Sequence, residues 1–433
     1  MNQTLKPLLA AFTLGIVLLL PSPALHAENW GHWRGPSLNG STTETNLPIS
    51  WSKTENILWT TPLPGYSGAT PAVWGDSVFV SSPDENKNLL LLCLNRRDGK
   101  IRWQKTVGTG DRDVGRNNST SSSPVTDGKS VFVIFATGDV AAFDFDGHPL
   151  WTRNLATDYG RFSILWVYGS SPLLHHDKLY IQVLQRNAPD NKPPRESFLL
   201  CLDARTGKNL WRQLRATDAV QESQEAYSSP IVSENHGHPE IIVAGAQFTT
   251  AHDPNTGAEL WRCGGLVCHG GGSSRLVPSP VTTDDSVIVC APRREAVFAL
   301  NDGGTGLVTD KNIAWTSKEF GSDCVTPLYY QQKLYVLDGD KQMLTCLDPK
   351  TGAKKWSGSL GIRDIFRASP TGADGKIYCL SETGTAVVLA AGDEFKILAT
   401  IPMGEEPVRA SIAASHGNLF IRTSQNLYCI GKK

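Results

Sequence analysis

The sequence predicts an all-β fold, an eight-bladed β-propeller of four-stranded blades whose ring is closed by an N-terminal strand. Three observations predict it. A turn-and-tryptophan motif returns throughout the chain, as in "LDARTGKNLW" at 202–211. A Ser-Pro or Thr-Pro pair opens an alternating apolar run once per unit, and the two chain ends carry complementary fragments of one unit.

The motif comes first because it defines the unit. "AHDPNTGAELW" ends at Trp261, "CLDPKTGAKKW" at Trp356 and "CLNRRDGKIRW" at Trp103, each with Asp or Asn eight residues before the Trp. "FDFDGHPLW" is one residue shorter, from Asp144 to Trp151. Asp at a turn can bond nearby backbone N–H groups, and Gly accepts positive φ. The Trp then buries a large ring, expected between neighbouring blades. Seven near-copies spread around a ring cannot all be one active site, so the motif is structural.

The prolines set the period. Pro71, Pro124, Pro172, Pro230, Pro280, Pro327 and Pro370 are followed by "RASIAA", where Ile412 takes the proline's place, and the steps run from 42 to 58 residues. That spacing fits propeller blades and lies outside helical repeats. Within a unit, "SPLLHHDKLYIQVL" reads as strand, turn, strand, and "SFLLCLDARTGKNLWRQL" as strand, turn, strand. Four strands per unit make a blade. The eighth unit stops after three strands, while "NILWTTPL" near the N-terminus holds a Trp-bearing strand with no unit before it. Joining them completes the eighth blade and removes two open edges.

Composition agrees with short strands and turns: 40 Gly, 26 Pro and only 19% charged residues among 433. With 41 basic and 42 acidic residues, the chain is not a polybasic nucleic-acid binder. Residues 1–27 differ from the rest: Lys6, an apolar run "PLLAAFTLGIVLLL" and "PSPALHA" have the three-part form of a secretory signal. Cleavage is expected after Ala27 or after Ala24, which leaves 28–433 as the propeller and a periplasmic or secreted location. No lipobox Cys follows the apolar run.

Of nine cysteines, Cys93, Cys201, Cys346 and Cys429 occupy one recurring apolar slot and are expected to be buried apart. Cys263 and Cys268 are the pair close enough in sequence to bridge locally. Their spacing is wider than the Cys-x-x-Cys-His of a covalent haem site.

The repeat resembles that of pyrroloquinoline-quinone (PQQ) enzymes, with copies at Trp59, Trp103, Trp151, Trp211, Trp261, Trp315 and Trp356. Quinoprotein alcohol dehydrogenases share it with the BamB-like propeller of the outer-membrane barrel-assembly machinery. Eight blades and modest length look more like the latter, and "WGHWRGPSLNG" at 30–40 resembles the start of exported PQQ-like repeat proteins. The vicinal Cys-Cys pair of many PQQ dehydrogenases is missing from the sequence.

Catalytic signatures are few. "HGGG" at 269–272 lacks a nucleophile elbow and reads as a loop, and "DFDG" at 144–147 aligns with the blade turn. The linkers before each Ser/Thr-Pro are richer than turns need, and they converge on one mouth of a propeller's channel. They nominate Arg116, Asn117, Asn118, Tyr168, Glu222, Glu225, Arg275, Asp323, Arg367 and Arg409 as a polar ligand or peptide site. The expectation is a binding or scaffolding module with a protein or peptide partner in the envelope, docking at this mouth or along exposed blade edges. It carries no expected catalysis, cofactor, metal or nucleic acid. The alternative is a quinoprotein oxidoreductase using PQQ with calcium.

Overall fold

In each repeat the two middle strands are continuous apolar runs, and this dictates how the units stack. The computed structural model describes residues 28–432 apart from 53, 188–194, 236, 266–274 and 310. Among these, eight four-stranded antiparallel blades form the ring, and the single α-helix is the five-residue Leu155–Tyr159. The strands of the third blade are typical: Leu173–His175, Lys178–Val183, Phe198–Asp203 and Asn209–Leu214. Phe198–Asp203 is buried apart from its last residue, whereas Asn209–Leu214 is exposed or half-buried throughout. A middle strand packs against blades on both faces, so it needs apolar side chains on both; the outermost strand does not. No described helix is long and apolar enough to cross a membrane.

Ring closure follows the expected route. Ile57–Pro62 pairs antiparallel with Asn426–Gly431, placing Thr60 opposite Tyr428, and completes the blade begun by Ala413–Ser415 and Asn418–Arg422. Buried Arg422 reinforces the seam by donating to Gly65 O at 3.1 Å and to Ser81 O in the first blade.

The turn motif is a socket for the preceding blade's tryptophan. Asp203 accepts from Thr206 N at 2.7 Å and Thr206 Oγ1 at 2.6 Å, which shapes the turn. Trp151 Nε1 donates to Ala204 O at 2.8 Å, and its ring lies over Gly207, which has φ +68°. A Cβ on Gly207 would lie 2.6 Å from that ring. Trp59, Trp103, Trp211, Trp315 and Trp356 likewise donate to a carbonyl of the following blade, at 2.7–3.2 Å. Trp261 is the exception. The fifth blade's turn is enlarged, and part of it, Gly306–Leu307, adds a parallel fifth strand to Glu259–Cys263. Trp261 is fully buried and bonds Glu240 Oε2 at 2.8 Å instead.

The recurring cysteine slot also has a reason. Cys93, Cys201, Cys346 and Cys429 sit directly opposite Trp103, Trp211, Trp356 and Trp59, where a small apolar side chain leaves room for the indole. All four are fully buried, and burial pushes the Cys201 thiol up to about 12, so it stays protonated. The Cys263–Cys268 pairing and the 269–272 loop involve residues outside those described, as does the signal segment 1–27.

Candidate functional site

The residue before each blade-opening proline has a task of its own. Thr70 N donates to Ser123 Oγ at 2.9 Å, Ser123 N to Ser171 Oγ at 3.0 Å and Ser171 N to Ser229 Oγ at 2.8 Å. The series continues through Ser279, Thr326, Ser369 and Ser411, at 2.8–3.1 Å. It closes where Ser411 N returns to Thr70 Oγ1 at 3.1 Å. One hydroxyl per blade thus satisfies the backbone donor of the preceding blade, all around the axis. The eighth blade keeps Ser411 although it lacks the proline, so the hydroxyl is the part of the Ser/Thr-Pro pair common to every blade.

These hydroxyls ring a central cavity of about 500 Å³. Below it, residues 28–47 cross the ring as a strap. Trp30 pairs with Val73 of the first blade, Gly31 O accepts from Thr126 N and His32 Nε2 meets Leu174 O at 2.9 Å. On the far side Arg34, 1% exposed, donates to Pro327 O and Pro370 O at 3.0 Å each. Trp33 lies between these two sets of anchors and lines the cavity.

The upper mouth carries charge. Arg116, Arg275, Arg293, Arg367 and Arg409 line the cavity with Glu222 and Asp323, and Asp340 and Glu382 stand behind them, so five arginines meet four carboxylates. Carboxylates hold the guanidinium groups extended. Arg275 grips Asp323 at both oxygens, at 3.1 and 3.3 Å, and its Nε lies 3.7 Å from Glu222. Arg367 pairs with Asp340 at 2.7 Å, while Arg409 Nε donates to Glu382 at 2.8 Å. Burial works to lower the Arg275 pKa, but Asp323, Cys324 and Glu222 together leave it raised; Asp323 itself is held below the usual carboxylate range by Arg275, against its burial. Trp166 Nε1 donates to Glu222 at 2.9 Å, and Asn117 Nδ2 donates to Trp166 O at 3.0 Å.

Seven of the nominated residues therefore line the cavity: Arg116, Asn117, Glu222, Arg275, Asp323, Arg367 and Arg409. Three do not. Asn118 ties Tyr66 O at 2.7 Å, and Tyr168 is buried with its hydroxyl on Gln182 O at 3.0 Å. Glu225 is fully buried, where it accepts from Leu165 N and Tyr227 Oη and pairs with Arg186 at 2.8 Å. Burial raises its pKa, against those partners. Trp33, Trp166, Arg293 and the supporting Asp340 and Glu382 were missed. The last three lie on turns between second and third strands, which antiparallel topology brings to the same end of each blade as the linkers. That geometry was the available signal.

No cluster of histidines, cysteines and carboxylates with ligand spacing lines the cavity among the described residues. Among the described residues, groups with ligand spacing are His175, His176 and Glu234, and Asp144, Asp146 and His148, all on blade turns away from the cavity. The cavity's arginines suit the carboxylates of a quinone such as PQQ, while among the described residues both cavity carboxylates are turned to Arg275. Cys324, also lining the cavity, is pushed up to about 11 by burial and by Asp323, so it is not a ready thiolate.

Ring, repeat and central cavity together define the class: an eight-bladed β-propeller built from PQQ-like repeats. A family model described as outer membrane protein assembly factor BamB matches residues 40–213. The structure of BamB from Moraxella catarrhalis superposes with a TM-score of 0.61 at 14% identity, covering 86% of this chain and 98% of that one. A europium-containing methanol dehydrogenase gives 0.71 at 11% identity, covering 92% and 90%. The quinohemoprotein alcohol dehydrogenase from Comamonas testosteroni gives 0.71 at 12%, covering 94% and 81%. At such identities the likeness is one of fold. No curated protein sequence matches the chain.

Proposed function

We propose that this protein is an exported binding propeller whose arginine-lined mouth takes an acidic segment of a protein or peptide partner in the periplasm or envelope. The observation that carries the reading is the cluster of five arginines around the cavity of about 500 Å³. A guanidinium fork matches a carboxylate in plane and spacing, and arginines already extended by carboxylates lose little freedom on binding. Trp33 and Trp166 add apolar faces beside the charges. The assembly-factor description of the matching family supports a partner-binding role. The signal-like segment 1–27 supports export.

The test is fluorescence anisotropy with labelled hexaglutamate, hexalysine and Gly-Ser peptides. Hexaglutamate should bind and weaken with added salt, and the other two should not bind. A parallel incubation with PQQ and calcium, followed by dye reduction with an alcohol, tests the oxidoreductase reading favoured by the dehydrogenase-like fold. Sustained dye reduction would replace the binding role with a quinoprotein one.

A further inference from the structure

The strap beneath the cavity begins at Glu28, whose backbone nitrogen meets the carboxylate of Glu44. Glu44 is 7% exposed and forms no ion pair with a lysine or arginine among the described residues; the imidazole near it, His416, has its pKa lowered by burial, which keeps it from serving as a full cation. Its carboxylate accepts from two backbone donors, Gly417 N at 2.7 Å and Glu28 N at 2.5 Å. A buried charge is normally matched by an opposite one, because neutral hydrogen bonds alone do not replace its hydration.

Glu28 is also held in place at its other groups. Its side chain accepts from Thr43 N at 2.7 Å, and its carbonyl accepts from Ser415 Oγ at 2.6 Å. These bonds hold Glu28 beside Glu44. Residue 28 directly follows "ALHA", the end of the signal-like segment.

We infer that processing cuts the Ala27–Glu28 bond and that the new α-ammonium of Glu28 is the counter-ion of Glu44. Water adds across the peptide bond, leaving a carboxylate on Ala27 and an ammonium at Glu28, where an uncharged amide stood before. The cut converts one neutral hydrogen bond into a partly buried ion pair that locks the strap carrying Trp33 under the cavity. The alternative cut after Ala24 has the smaller Ser22 three positions back, where Ala27 has Leu25. It would leave three residues between the ammonium and Glu28 and no counter-ion for Glu44. The geometry favours Ala27. The cutting step rests on the export reading above, whereas the ion pair can be tested without it.

Four chains test the pair: one released from a fusion so that it starts at Glu28, one that starts at Ala27, and each again with Glu44→Gln. Starting at Ala27 should lower Tm by about 2–3 °C, between the losses for an exposed and a fully buried pair in a chain this long. Glu44→Gln should cost a similar amount in the Glu28 chain and almost nothing more in the Ala27 chain. Equal melting of the two starts, or independent additive losses, would overturn the pair. Mass spectrometry of the exported protein tests the cut: loss of residues 1–27 supports it and loss of 1–24 overturns it. An intact Met1 would overturn export and processing together, while the ion pair still stands or falls on the melting data.

Discussion

Replacing Gly257 by alanine should damage one blade junction in two separable ways. Gly257 has φ +75°, and an added Cβ would lie 2.5 Å from the Trp211 ring. The left-handed backbone costs an alanine about 1–2 kcal/mol. Forcing a methyl into the packed indole costs about 1–3 kcal/mol more. The total is about 2–5 kcal/mol. For a chain of 433 residues the unfolding entropy scales to about 0.9 kcal/mol per degree, so Tm should fall by about 2–6 °C. Differential scanning calorimetry measures this directly. In a Trp211→Ala background the clash is gone, and only the backbone part, about 1–2 °C, should remain. An equal fall in both backgrounds would refute the socket reading of the motif.

Two further outcomes follow from the ring. Ser171→Ala leaves the buried Ser123 N–H without its acceptor and should cost about 1–3 kcal/mol, read as a shift of the urea midpoint. His252 is fully buried, bonded to Gly257 O at 3.1 Å and Thr250 Oγ1 at 3.0 Å, and burial lowers its pKa from 6.5 to about 4. The unfolded chain therefore takes up the proton first. The neutral imidazole's contribution is fully present above about pH 6.5 and is lost as pH falls towards 4, amounting to about 3 kcal/mol. Urea titrations of the wild type should weaken over that window more steeply than those of His252→Gln; parallel profiles would contradict the assignment.

Much of the fold was legible because each structural task is done by a residue with few substitutes. Only a glycine fits both the positive φ and the indole at Gly207, and only a short hydroxyl reaches the neighbouring N–H at Ser171. The fifth blade was harder to read, because its enlarged turn replaces the Asp–Thr–Gly socket and sends Trp261 to Glu240. The site was legible only in part. Linker composition found Arg275 and Asp323, but it could not tell that Trp166 opens onto the cavity while Tyr168, two residues on, is buried. Side-chain direction in an irregular linker has no period to read. The strap was invisible for a related reason: "WGHWRGPSLNG" has neither strand nor helix periodicity, and its place is set by contacts with at least five blades.

The most direct test of the arginine mouth is where a bound acidic peptide touches the protein. A hexaglutamate peptide carrying a benzophenone group would be photo-crosslinked to the chain and the adducts mapped by peptide mass spectrometry. Adducts should fall on Trp33, on Trp166 or on the linker residues 115–117 and 275–277, and should disappear in Arg275→Gln with Arg409→Gln. Adducts confined to the outermost strands, such as Asn209–Leu214, and unaffected by those substitutions, would contradict the account.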